Sequence, residues 1–314
     1  MLYPFKLDLT RGRVLRIEMD EAALRAASFL DDRILTPSTR GGWVPLAGFE
    51  ATVPAGPNCP LHFIFHTGHV GSTLVSRLLD ATGRVLPLRE PLPLRTLAVA
   101  TGDARFEGLV ALFIRHWRSV PVATDAVIVK ATSSAARIAP ALLDAAPEAR
   151  AIYLNVRAEP YLATLLAGEN SWIDLRGHAP ERLQRLAAHG GAPPLPLESL
   201  SPGELVAASW LAETTTQRAV LARYPGRVMA VDFDTFLADP AGHLRPILAH
   251  FGLRSDTTTV ATALASPVLT RYSKAPEHPY DPALRAAVLD EARREHGTEI
   301  TKGLRLLERL GAGA

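Results

Sequence analysis

A single cysteine, Cys59, is all that the 314 residues carry. That excludes a disulfide framework and a metal site built on cysteines, and it fits a reducing compartment. Neither sign of charge is in real excess: 34 Lys and Arg stand against 32 Asp and Glu, a net charge of +2. So small a surplus gives no footing for a nucleic-acid or anionic-membrane partner. No apolar run approaches the roughly 18 residues that a spanning helix needs. Lys6 and Asp8 fall where a secretory signal would need its apolar stretch. The expectation is a cytoplasmic globular protein. Hydrophobic residues make up 47% and charged residues 21%, the proportions of a soluble chain. The heavy use of Ala, Arg, Leu and Pro reads as a GC-rich bacterial genome. No internal repeat or low-complexity tract is present.

What is there concentrates between Leu61 and Leu74. Phe63-Ile64-Phe65 is a short apolar run of the kind a strand buried on both faces shows. Gly68 and Gly71 then allow a tight turn and close backbone approach. Ser72 and Thr73 offer hydroxyls where the N–H groups opening a helix lack partners. Strand, glycine loop and helix start together make a cradle for an anion, most naturally a phosphate or sulfate. A nucleotide-hydrolysing loop would read G-x-x-x-x-G-K-[ST]. No lysine stands in this one.

Further strands are expected at Val85–Leu88, Ala126–Lys130, Arg150–Arg157 and Arg227–Val231. Helices are expected over Ser72–Ala81, Phe106–Trp117, Pro160–Ala167, Glu204–Tyr224 and Pro240–Phe251. Gly168–Pro202 is polar and rich in Gly and Pro, with one short helix expected over Pro180–Ala188. The tail reads as a loop over Pro267–Pro282 followed by two helices, 283–295 and 300–310. Residues 1–55 read as an N-terminal appendage of two strands and a helix opened by Asp20, with a linker between Pro37 and Pro57. Residues 56–314 form the main domain, in which 168–202 is a lid or acceptor-specificity segment. Continuous apolar strands alternating with helices predict a doubly wound, mostly parallel sheet of about five strands flanked by helices. In such sheets the ligand lies beyond the carboxyl ends of the strands. The residues expected at that rim are the Gly68–Thr73 loop, Glu90, Lys130, Arg157, Asp232 and Asp234.

These residues, in this order, resemble the sulfotransferase family, whose members bind the donor PAPS (3′-phosphoadenosine 5′-phosphosulfate) on a P-loop-type three-layer fold. His69-Val70-Gly71-Ser72-Thr73-Leu74 is similar to the family's phosphosulfate loop, with His69 where the family usually carries a cation. Glu90, in Arg89-Glu90-Pro91, falls where relatives carry the carboxylate that deprotonates the acceptor. Arg157, followed by Pro160 and Thr164, looks like the 3′-phosphate site. The segment Val228–Pro240 with Phe251-Gly252-Leu253 is similar to a strand–loop–helix unit of the family. The resemblance spans about residues 60–310. It implies transfer of a sulfuryl group from PAPS to a hydroxyl or amine of a small-molecule or carbohydrate acceptor, with PAP as product and no metal. Gly68 through Leu74, Arg157 and Thr164 would bind the donor. Arg271 and Lys274 would close over it from a late loop, although the family's usual Arg-Lys-Gly signature is absent. Glu90 would be the base, and His69 with Lys130 would stabilise the transferring charge.

Plainer readings stand beside each role. His69 either replaces the loop cation when protonated or acts as acid or base; otherwise it only packs in the loop. Glu90, half-buried beside a cleft, would have a raised pKa as a base; otherwise it pairs with Arg89. Arg157 would fork onto a phosphate or pair with Glu159, and Lys130 would touch the donor or snorkel from a strand end. Two rival functions remain: an ATP-dependent kinase or nucleotide-binding protein, against which the missing loop lysine counts, and a degenerate relative that binds without turnover.

Overall fold

The computed structural model describes residues 1–52, 59–120, 124–190, 195–275, 277–280 and 282–312. The expected boundary at 55/56 lies outside the described residues.

Among the described residues, eight strands form two sheets. β1 (Leu2–Asp8), β2 (Arg13–Glu18) and β3 (Gly41–Pro45) make an antiparallel sheet in that order. β4 (Leu61–His66), β5 (Val85–Arg89), β6 (Ala126–Lys130), β7 (Ala151–Asn155) and β8 (Val228–Asp232) make a five-stranded parallel sheet in the order β5-β6-β4-β7-β8. The chain leaves β4 toward one edge and later returns to add β7 and β8 on its other side. The strand order therefore reverses at β4, and the crevice beyond its carboxyl end is where an open α/β sheet takes its ligand.

Alternation along each strand sorts its side chains to two faces. Phe63, Phe65, Leu86, Leu88, Val127 and Val129 join one buried cluster with the first sheet and the helix Phe106–Arg118. Ile64, Val85, Ile128 and Ile152 join the other, against the helices Ser72–Asp80, Ala158–Ala167 and Pro202–Arg223. The result is the three-layer α/β architecture that the apolar runs predicted. The first sheet is not a separate ball of residues: Tyr3, Phe5, Leu7, Val14 and Ile17 pack into the same cluster as the main sheet.

Four segments differ from expectation. The helix expected over Pro180–Ala188 runs from Glu169 to Gly190 with Pro180 inside it. Leu175, Ala179, Arg182 and Leu186 bury one stripe along it, and that packing outweighs the hydrogen bond lost at Pro180. The two tail helices are one helix, Pro282–Arg309. Gly297 lies inside it, and the buried stripe Leu289, Ala292, Ile300, Leu306 and Leu307 carries the helix across that weak point. The stretch read as a linker holds β3 and the helix Leu46–Glu50. The helix Leu92–Val99, with Pro93 in its first turn, was not foreseen. No described helix is long and apolar enough to cross a membrane.

Candidate active site

The loop after β4 is built as its sequence requires. Gly68 and Gly71 have φ of 95° and 68°, a region that only glycine enters freely. Gly71 caps the helix Ser72–Asp80 with no side-chain partner, so the helix presents its first N–H groups and its positive end to whatever lies in front. A Cβ on Gly71 would stand 1.9 Å from the Phe233 ring, so the position also permits close packing against the segment after β8.

His66 braces the loop from behind. Its Nδ1 accepts from the Gly68 N–H at 3.1 Å, which leaves Nε2–H to donate to the Ala131 carbonyl at 2.9 Å. Burial pushes its pKa down to about 3, so the ring is neutral and structural. His69 is itself forced into positive φ, at 54°. Burial, then the nearby Lys274 charge, lower its pKa to about 4. At neutral pH the ring is neutral before an anion is bound, whereas the expected stand-in for a permanent charge needs it protonated.

Glu90, just beyond β5, is the only other described non-glycine residue with positive φ, again 54°. Its N–H donates to the Lys130 carbonyl at 2.7 Å, and its carboxylate accepts from the Lys130 ammonium. A second carboxylate oxygen lies 3.5 Å from Arg95. Burial favours the protonated acid, but the Lys130 ammonium, with Arg95 adding less, prevails and holds the pKa at about 2. This corrects the expectation of a raised value: Glu90 is an ionised partner of a buried lysine. Its pairing is with Lys130, not with Arg89. Lys130 is fully buried, lies behind Glu90 and lines neither cavity described below. It meets the site from behind, through Glu90 and through the Phe29 ring 5.4 Å away, and not by the expected contact with the transferring group.

Two cavities meet here. A smaller one of about 360 Å³ is lined by the loop from His69 to Leu74, by Thr164, and by Arg271, Lys274 and Arg285. A larger one of about 700 Å³ reaches from Gly68 toward Phe29, Arg33, Arg95, Thr132 and Asp174. His66, His69, Glu90, Tyr272 and Lys274 line both, so these five residues form the shared wall.

Lys274 is the cation at that wall. It rides on a short turn closed by a bridge between Arg271 and Pro279. Arg77, from the loop's own helix, holds the turn through a 2.6 Å bond to the Ser273 carbonyl. Crowding by surrounding protein lowers the Lys274 pKa, and Glu90 acts against that. Arg271 is exposed and reaches the smaller cavity's rim. Thr164 faces the same cavity, but its hydroxyl donates to the Pro160 carbonyl at 2.7 Å. Arg157 is exposed and lines neither cavity. It occupies the N-cap of the helix Ala158–Ala167, and it does not pair with Glu159, whose partner is Arg293 at 2.7 Å. The expected 3′-phosphate fork is therefore not formed by Arg157. Arg285 stands in the smaller cavity instead, paired with Asp234 at 2.7 Å. Nothing local in the sequence marks Arg285; the docking of the last helix brings it there. Asp232 caps the helix Phe233–Ala238.

Among the described residues, no group of three or more His, Cys, Asp or Glu side chains is placed to hold a metal ion. What the arrangement offers is an anion cradle, one accessible cation and one ionised carboxylate on a wall between two cavities.

No protein-family model matches the chain, and no curated protein matches its sequence. Among solved structures it is similar to sulfotransferases. The sulfotransferase domain from the curacin biosynthetic pathway is 13% identical with a TM-score of 0.45, over 82% of this chain and 99% of that one. Sulfotransferase STF9 from Mycobacterium avium is 13% identical with a TM-score of 0.45, over 79% of this chain and 80% of that one. Mouse sulfotransferase SULT7A1, solved with PAP, is 11% identical with a TM-score of 0.39, over 83% of this chain and 93% of that one.

Proposed function

We propose that the protein transfers a sulfuryl group from PAPS to a hydroxyl or amine. The observation that carries this reading is the shared wall. An anion-binding loop opens on one cavity, and a second, larger cavity meets it at Glu90 and Lys274. A group-transfer enzyme needs that layout: donor on one side, acceptor on the other, charge at the junction.

In this reading the loop N–H groups and the Ser72 and Thr73 hydroxyls hold the phosphosulfate end of the donor. Arg271, Arg285 and Thr164 hold its other phosphate. The acceptor's oxygen or nitrogen bonds to sulfur as the sulfur's bond to the phosphate oxygen breaks. Lys274, not His69, meets the charge that accumulates on the leaving phosphate. Glu90 receives the acceptor's proton. Phe29 and Arg33 from the N-terminal segment and Ser171 and His178 from the helix Glu169–Gly190 shape the acceptor side, since they line the larger cavity.

Calorimetric titration with PAP tests the donor assignment. Wild type binds, and Lys274→Ala binds about tenfold or more weakly, the loss of one charge-assisted contact. Absence of wild-type binding at millimolar PAP ends the reading. A second reading has one observation in its favour. A carboxylate held at about 2 by Lys130 is a weak base, as a protein that binds the nucleotide without turnover would tolerate. PAP binding with no transfer to any acceptor would select it.

A further inference from the structure

We infer that the larger cavity takes an anionic, polyhydroxylated acceptor, of the kind a sugar acid or a hydroxy acid represents, and not a flat apolar one. This rests on the sulfuryl-transfer reading for which side of the wall is the acceptor's. Small-molecule pockets are usually lined mostly by apolar side chains. Among the described residues, Phe29, Val99 and the ring of Tyr272 are the apolar side chains on the wall, and the Arg33 guanidinium sits 3.8 Å over the Phe29 ring. The rest is polar. Arg33, Arg95 and Arg137 supply cations from three separate segments, and Thr132, Ser133 and Ser134 supply a row of hydroxyls.

The arginines differ in how firmly they are held, and that difference locates the anion. Arg137 is tied down, to Glu181 at 2.9 Å and the Ala98 carbonyl at 2.8 Å. Arg33 is held by Asp31. Arg95 has only two long contacts, 3.5 Å to Asp31 and 3.5 Å to Glu90, and its side chain is 45% exposed. A carboxylate entering the cavity can take the Arg95 fork at little cost to existing contacts, and planar guanidinium favours that two-pronged geometry. Since Arg95 also reaches Glu90, an anion bound there places the acceptor's neighbouring hydroxyls along the wall where Glu90 and Lys274 stand. Asp31 and Glu181 already meet Arg33 and Arg137, so Arg95 and Lys274 are the lining cations left to meet an anion.

The test is calorimetric binding of matched neutral and anionic pairs, with and without saturating PAP: glucose and glucuronate, galactose and galacturonate, glycerol and glycerate. A phenol, 2-naphthol, serves as the apolar probe. The expected result is that the anionic member binds about tenfold or more tightly in at least one pair, the contribution of one charged hydrogen-bonded contact. Arg95→Gln removes that preference while PAP affinity stays within about twofold, because Arg95 lines only the larger cavity. Equal binding within every pair, tighter binding of 2-naphthol, binding of none of the seven probes, or a preference that survives Arg95→Gln overturns the inference. The PAP arm keeps the two readings apart. Absence of PAP binding defeats the donor assignment, whereas PAP binding without anion preference defeats only this inference.

Discussion

Replacing Lys130 by Met, Glu90 by Gln, and both together, measures the interaction on which the shared wall rests. Lys130 is fully buried and Glu90 is 9% exposed. Removing either partner strands the other's charge, which costs about 3–5 kcal/mol; removing both leaves no stranded charge and costs clearly less than the sum. A second estimate comes from titration. Glu90 stands at about 2 against an ordinary 4.5, which links its ionisation to about 3 kcal/mol of stability at 1.36 kcal/mol per pH unit. The sign follows from a depressed acid. Above pH 4.5 the contribution is complete; it is lost as pH falls toward 2. In Lys130→Met the carboxylate stays buried without its main partner, so its pKa climbs toward the ordinary range and that acid-linked loss shrinks. Urea unfolding of the four proteins at pH 7, repeated down to pH 3, reads both quantities. If Glu90 takes the acceptor's proton, the acid limb of kcat/KM also moves to higher pH in Lys130→Met. Single costs that add to within about 0.5 kcal/mol, with identical acid profiles in wild type and Lys130→Met, would refute the coupling.

Two further predictions concern the loop and its surroundings. Gly71→Ala puts a Cβ at φ 68° and within 1.9 Å of the Phe233 ring, so it costs at least about 2 kcal/mol and weakens PAP binding; thermal melting at unchanged temperature would contradict this, and Phe233→Leu should recover part of the loss. His62, His66 and His116 are buried neutral with pKa values of about 4, about 3 and about 4. The unfolded chain binds their protons first, so stability falls as pH drops from about 6.5 toward 4. His116→Phe, which keeps the stack on Phe49, should flatten melting temperature against pH across that window; an unchanged slope would show that His116 does not contribute.

The strands of the main sheet were legible because burial on both faces leaves one mark, an unbroken apolar run, that needs no partner to be read. The glycine loop after β4 was legible for a similar reason, since Gly68 and Gly71 answer to local backbone geometry. What depends on register or docking was not. Lys130 and Glu90 are forty residues apart, and they meet because Arg89 pairs with Lys130 across two parallel strands. Arg157 reads as a rim residue from its place after β7, yet a strand end fixes where a backbone stops and not where an exposed side chain points. Lys274 lay in a recognised basic stretch, but its importance emerges only when Arg77 ties that turn over the loop. The long last helix reads in sequence as two, yet tertiary packing carries it through Gly297 as one.

The strain at the shared wall ties these pieces together. His69 and Glu90, both at φ 54°, occupy a region that costs a non-glycine residue about 1–2 kcal/mol. Such a conformation persists only where neighbours over-determine it. For His69 the neighbour is the His66 brace beneath Gly68. For Glu90 it is Lys130 on one side and Arg89 on the other. Arg89 is fully buried. Its guanidinium donates to the carbonyls of Arg25 at 2.8 Å and Ala27 at 3.0 Å, to Ser76 at 3.1 Å and to Asp80 at 2.9 Å. Its own carbonyl accepts from the Leu30 N–H at 2.7 Å. One side chain thus locks the end of β5 to the N-terminal segment and to the helix Ser72–Asp80 at once. The residues before β4 therefore do more than line the larger cavity. They clamp the strand end that holds Glu90 in its strained position, so the carboxylate and the anion cradle are set relative to each other before any ligand arrives.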